Sequence, residues 1–312
     1  MAWTRVLSLE DPLLCRTALA GTDFEILPTA KGDFHANMTQ VGLNVLRLMR
    51  YDLSLPQVSS VTLDSSRKTI GFLTESGPLR YYGTEISLGD IIIQKPDGAH
   101  MVSESSFSAG AMSLPVDELN AATIAIVERD LSKTLEKLVV RPNPALMSRF
   151  VKLHQVVARL APEMLELPEV CRALEEQLLH LMVRCLAEGA NVEMKAGDRR
   201  HSTIVVRFEE FLAANPDRAI YLTEICAATG TSERTLRAAC EEHLGMGPIR
   251  FLTLRRMHLV RRALLRASAS ETNVTRIVTD QGFWELGRFS VAYRALFGEM
   301  PSETLRRPPR LA

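Results

Sequence analysis

Near the end of the 312-residue chain the same helix ending is written twice, and no other feature restricts the fold as much. Leu244-Gly245-Met246-Gly247-Pro248 and Phe297-Gly298-Glu299-Met300-Pro301 each set an apolar residue before a Gly and a Pro three residues after it. Glycine accepts the left-handed backbone that closes a helix, and proline cannot continue one but starts the next, so each pair is a stop followed by a start. The offset of 53 also lays Leu236 on Phe289; upstream it becomes 52, laying Ile225 on Ile277 and Gly230 on Gly282. One slip of a single residue in a turn accounts for the change. Each half reads as a short helix (LTEICAAT, VTRIVTDQ), a turn beginning with Gly and a second helix (ERTLRAACEEHL, LGRFSVAYRALF). Ser232 stands where it caps the first of these second helices, with Thr235 in the place of a capping-box Glu. Between the halves, PIRFLTLRRMHLVRRALLRA is an unbroken helical stretch that can hold them at a fixed separation.

A helix, a short Gly-containing turn and a second helix form the helix-turn-helix, whose second helix enters the DNA major groove. Charge agrees with that use. The chain is neutral overall, yet from Arg199 onward it carries 18 arginines, no lysine and 12 acidic residues, a net charge of +6 that the rest must offset with −6. Such asymmetry suits a polyanion partner, and the planar fork of arginine suits forked contacts to phosphate and guanine.

The remainder divides by hydrophobic period. Up to about residue 119 the chain is strand-like: RYYGTEISLGDIIIQKPDGAHMV has aromatic and β-branched runs cut by Gly and Pro. From 120 to 187 it turns helical. Leu146, Phe150, Leu153, Val157, Leu160 and Met164 recur at steps of 4, 3, 4, 3, 4, and Leu174, Leu178, Leu181 and Cys185 at 4, 3, 4, with a break around ELPE at 166–169. These stripes have no obvious covering element in the sequence, and with two-fold dimers the commonest oligomer they predict a homodimer formed there. Residues 188–202, rich in Gly and charge without apolar period, read as a linker.

The segment 203–307 resembles the DNA-binding domain of AraC/XylS-type bacterial transcription regulators. The marks are TSERTLRAACEEHLGMGPIRFLTLRRMHLVRRALL and IVTDQGFWELGRFSVAYRALFGEMPSETLR, including Gly282-Phe283 and both Gly-x-x-Pro endings. The resemblance implies an α+β protein: a sheet-rich sensor and dimerisation domain over 1–187, then an all-α DNA-binding domain over 203–312, with two helix-turn-helix units joined by one long helix reading adjacent major-groove segments. It implies that the first reading helix presents Glu233, Arg234 and Arg237, and the second Glu285, Leu286, Arg288 and Ser290. Where the family often has Arg this chain has Ala238 and Val291, so Arg250, Arg255 and Arg294 are the candidate substitutes for phosphate contacts, with Arg255 equally placed to pair with an acidic neighbour and fix the linking helix. Double-stranded DNA, a small-molecule effector and RNA polymerase are the partners this resemblance leads us to expect.

For the N-terminal part, LGDIIIQKPDGAH resembles the second half of a cupin metal signature, with Gly89, Pro96, Gly98 and His100 in order. Two spacings differ by one and no His-and-Glu segment precedes it, so a cupin-like barrel is expected without a metal. Arg47, Arg50, Asp64 and Ser66 resemble, with altered spacing, the arginine pair and Asp-x-Ser-x-x-Gly of PilZ domains, which bind cyclic di-GMP; they are the candidate effector residues. There is no GxSxG, phosphate-cradling glycine loop or CxxC pair, so no enzymatic activity and no cofactor are expected. Five scattered cysteines, no apolar run near the roughly 20 residues of a membrane span, and no signal-peptide pattern place the expected protein in the cytoplasm. The alternative is a DNA-binding protein of low specificity, architectural in role, whose sheet domain takes a protein partner.

Overall fold

The computed structural model describes residues 2–307 except 17, 19–21, 76, 96–98, 193–195, 216–217, 269 and 271. In chain order the first part has β1 (Trp3–Leu9), α1 (Pro12–Cys15), β2 (Thr22–Pro28), β3 (Ala36–Gly42), β4 (Arg47–Leu53), β5 (Gln57–Leu63), β6 (Arg67–Leu73), β7 (Leu79–Tyr81), β8 (Thr84–Ile86), β9 (Ile91–Gln94), β10 (Ala99–Ser103) and β11 (Phe107–Pro115). Then follow α2 (Val116–Val127), α3 (Ser132–Leu135), β12 (Val139–Arg141), α4 (Pro144–Val157), α5 (Pro162–Leu165), α6 (Pro168–Glu188) and β13 (Ala190–Asn191). The remainder is helical: α7 (Ala196–Ala213), α8 (Leu222–Thr229), α9 (Glu233–Leu244), α10 (Pro248–Arg266), α11 (Val274–Asp280), α12 (Leu286–Phe297) and α13 (Pro301–Arg306).

The strands build two sheets and not the expected cupin-like barrel. One runs β1-β3-β4-β11-β6-β9-β12-β13 and the other β2-β5-β10-β7-β8, and neither closes on itself. Tyr51, Leu53, Phe24, Ile26, Val61, Met101 and Phe107 fill the space between them, with Tyr51 edge-on to Phe24 at 6.0 Å and to Phe107 at 5.9 Å. Side chains alternate between the faces of a strand, so each sheet has a second face to cover.

On the large sheet that cover is helical. Leu48, Ile70, Phe72, Ile93 and Met112 pack against Leu146, Phe150, Val157, Leu178, Met182 and Cys185 of α4 and α6. The apolar stripes from which a dimer was expected are therefore covered for the most part within one chain, with the sheet as third layer: Phe150, Val157, Leu178 and Cys185 are fully buried, while Met164 at the end of the first stripe stays exposed. Glu175 of α6 fastens the layers by accepting from the Val45 and Leu46 amides and the Asn44 side chain, each at 2.8 Å.

The smaller sheet is covered by the C-terminal helices. Leu27, Val58 and Val102 of β2, β5 and β10 join Ile204, Val205, Phe208 and Leu212 of α7 in one cluster that continues into α9 and α10. The expected linker is thus partly structured, since β13 pairs with β12 and α7 begins at Ala196. No described helix is long and apolar enough to cross a membrane.

Candidate nucleic-acid interface

The duplicated helix endings become two matching helix pairs, α8/α9 and α11/α12. Gly245 and Gly298 close α9 and α12 at φ +68° and +79°, left-handed values at which a side chain would be strained, and Pro248 and Pro301 open α10 and α13. Both second helices are 12 residues long, Glu233–Leu244 and Leu286–Phe297. The one-residue slip lies in the turn: two residues, Thr231 and Ser232, separate the left-handed Gly230 from α9, whereas three, Phe283, Trp284 and Glu285, separate the left-handed Gly282 from α12. Ser232 caps α9, its hydroxyl accepting from the Thr235 amide at 3.3 Å.

Burial separates the two sides of each second helix. Leu236, Ala239 and Cys240 of α9 and Phe289 and Tyr293 of α12 are buried. Glu233, Arg234, Arg237 and Ala238 are exposed together, as are Glu285, Gly287, Arg288, Val291 and Arg294 on the other unit. Each exposed face holds an internal ion pair: Arg237 Nη2 to Glu233 Oε1 at 3.2 Å, and Arg288 Nη1 to Glu285 Oε2 at 2.8 Å. Leu286 is half-buried, and the Ser290 hydroxyl donates to its carbonyl at 2.9 Å. Ser290, Val291 and Arg294 line a shallow groove with Lys31, from the turn between β2 and β3.

The proposed phosphate substitutes split. Arg250 and Arg294 are exposed. Arg255 is not available to a duplex: it is buried, and its Nη2 donates to the carbonyls of Leu212 at 3.1 Å and Asn215 at 3.0 Å, tying α10 to the end of α7.

The effector candidates split as well. A cleft of about 970 Å³, counted to its open mouth, lies between the sheets, walled by Trp3, Phe24, Met49, Tyr51 and Met101, with Arg47, Asp64, Arg67, Gln40 and Gln94 among its polar lining. Of the four candidates, Arg47 and Asp64 line it. Arg50 is three residues from Arg47 on β4 and therefore on the opposite face, within electrostatic reach of His154. Ser66 does not line the cleft; its hydroxyl and amide bond the Asp64 carboxylate at 2.6 and 2.9 Å, holding it below the usual aspartate value. Sequence reasoning missed Arg67, which alternation on β6 places inward with Thr69. Its guanidinium donates to the Val45 carbonyl at 2.6 Å and the Ser113 carbonyl at 2.8 Å, and burial followed by the nearby Arg47 charge lowers its pKa.

Of the cupin-like signature, Pro96 and Gly98 lie outside the described residues. His100 sits on the outer face of β10 against Glu209 of α7, where burial, then His243, pushes its pKa down to about 3. Burial followed by Glu25 raises the Glu209 pKa, so burial disfavours charge on both sides of this contact across the sheet–helix boundary.

Comparison with known proteins agrees with this geometry. A helix-turn-helix domain family matches residues 225–307, from within α8 to the end of α13. The XylDLEGF operon transcriptional activator 1 of Pseudomonas putida is 28% identical over 235 residues, spanning 73% of this chain and 69% of that protein. The XylDLEGF operon transcriptional activator 2 of the same organism is 34% identical over 99 residues, 32% of this chain and 63% of that one, so the chain spans under two thirds of that relative. Among solved structures, the AraC-like transcriptional activator CuxR aligns over 88% of this chain and 100% of its own at 16% identity, with a TM-score of 0.44. Residues 225–307 thus carry a helix-turn-helix domain, and the chain is similar to DNA-binding transcriptional activators of the AraC/XylS type.

Proposed function

We propose that this protein is a sequence-specific regulator in which a small anionic molecule held between the two sheets alters how α9 and α12, as the reading helices of two helix-turn-helix units, engage adjacent stretches of major groove. The observation that carries the proposal is the double use of three strands. Phe24, Val61, Leu63 and Met101 of β2, β5 and β10 face the cleft, while Leu27, Val58 and Val102 of the same strands carry α7 on the other face. A ligand that shifts these strands also shifts the support of the DNA-binding helices, which lies on the other face of the same sheet. Apolar walls with two arginines at the polar lining suit an anion with an apolar or aromatic body, since guanidinium forks pair with carboxylate or phosphate. Cyclic di-GMP is one such anion, favoured by the Arg47 and Asp64 matches; a smaller organic acid uses the same chemistry.

The test is linkage. A ligand of this kind raises the melting temperature of the whole protein, and the operator must change its affinity by the same factor as it changes operator affinity. Titrating cyclic di-GMP and a panel of organic acids with and without operator duplex, on wild type and Arg47→Ala, gives that factor. Binding unaffected by both Arg47→Ala and DNA would refute the cleft. Operator affinity no better than that for random duplex at equal salt would favour the low-specificity architectural reading. We also propose a homodimer through the exposed Val156, Met164 and Leu167 of the α4–α6 corner; changing all three to Glu should halve the mass in light scattering.

A further inference from the structure

We propose that Trp284 is a base-reading residue of the second unit, packing its indole against the 5-methyl group of a thymine in the major groove; this rests on the DNA-reading assignment of α12. At 75% exposure it is the most exposed large apolar side chain among the described residues. The turn forces it there. Gly282 takes φ +74°, and Phe283 is held inward with its ring 4.9 Å from Phe289 and the Arg256 guanidinium 5.0 Å over it, so the next side chain is directed out, immediately before α12.

Three features at this helix end point to base edges. The N-terminal residues of a recognition helix are those that reach the bases. Gly287, in the first turn of α12, has nothing within 4 Å of where a Cβ would be; glycine is a poor helix former, but here it lets the backbone approach closely. The neighbouring Glu285 carboxylate is paired with Arg288, which makes the spot unsuited to a phosphate. On the groove floor the one apolar group is the thymine methyl, and thymine O4 beside it can accept from the indole N–H. Trp284 stands just before α12, and Arg288 and Val291 lie three apart on the helix; all three are exposed, with a cation between the two apolar groups in sequence. A protein-docking patch would be contiguous and apolar.

The experiment uses the full chain and a duplex selected by it from random sequence. Each thymine is replaced singly by uracil, which removes only the methyl, and binding is measured for wild type, Trp284→Ala and Trp284→Phe. Wild type should lose about fourfold at one thymine of the second half-site, the transfer value of one methyl, and Trp284→Ala should be indifferent to that swap while losing about tenfold on the cognate duplex. Emission of wild type minus that of Trp284→Phe should shift to the blue in the complex. Equal uracil losses in wild type and Trp284→Ala at every thymine, equal weakening of Trp284→Ala on cognate and random duplex, or an unshifted indole would overturn the proposal. Failure of wild type to bind any duplex would remove the DNA-reading assignment itself, and this proposal with it.

Discussion

Arg237→Ala tests whether α9 reads bases or merely lies near DNA. In the free protein the Arg237 side chain is 53% exposed and its Nη2 stands 3.2 Å from Glu233, itself 56% exposed. An exposed pair one helical turn apart contributes about 0.3 to 0.5 kcal/mol, so leaving Glu233 costs Arg237 little. A forked contact to guanine contributes about 1 to 3 kcal/mol of discrimination. The difference, about 0.5 to 2.5 kcal/mol, is what Arg237→Ala should remove from cognate binding, roughly twofold to seventyfold, with relaxed preference at a single base pair of the first half-site. Glu233→Gln should tighten wild-type binding by no more than about 0.5 kcal/mol, because it only releases the arginine. Matched and single-mismatch duplexes titrated at two salt concentrations separate the outcomes. Equal loss on every sequence would refute base reading by this helix.

Arg294, exposed on α12, should behave as a phosphate contact: Arg294→Ala weakens cognate and random duplex alike and lowers the salt slope by about one unit in log–log binding plots. Arg255→Ala should leave that slope unchanged but destabilise the protein by about 2 to 3 kcal/mol in urea unfolding, because two carbonyls lose a charged donor.

The helical domain was legible because its signals are local. A Gly that closes a helix and a Pro that opens the next act within a few residues, so the bounds of α9 and α12 followed from the repeat alone. Arg237 and Arg288 are exposed for the same reason, since Leu236 and Phe289 mark the buried side of each helix. The sheets depend on pairings far apart in sequence, such as β1 with β3 and β2 with β5, and the sequence offers no comparable mark for them. Arg47 and Arg50 illustrate the cost: adjacent to the eye, they are divided by the alternation of β4, whereas Arg67, on a different strand, shares the cleft with Arg47. Periodicity found the stripes of α4 and α6 but not the sheet beneath them, which covers Phe150, Val157, Leu178 and Cys185. The role of Arg255 was hidden because it depends on the carbonyls that end α7, a helix the sequence pattern did not reveal.

His154 shows how that buried layer should answer to pH. It is fully buried on α4, its Nε2 is 3.1 Å from the Ala111 carbonyl, and its ring meets Phe72 edge-on at 5.0 Å. Burial drives its pKa down to about 4, the backbone hydrogen bond opposing and Arg50 adding to the fall. The unfolded chain takes up this proton near the ordinary histidine value of about 6.5. Above that pH neither state is protonated and His154 has no effect on the pH dependence. Between 6.5 and 4 the unfolded state binds more protons than the folded one, so stability falls as pH falls, by up to about 1.4 kcal/mol per unit. From pH 7 to 5 the loss due to this residue alone comes to about 2 kcal/mol. His154→Gln, which cannot titrate, should start less stable at pH 7 through lost packing but fall less steeply, so that the gap to wild type closes by about 2 kcal/mol at pH 5. The carboxylates common to both proteins cancel in that difference. A gap in urea-unfolding free energy that stays constant between pH 7 and 5 would mean that His154 is protonated in the folded protein as readily as in the unfolded one, and the buried neutral imidazole would have to be abandoned.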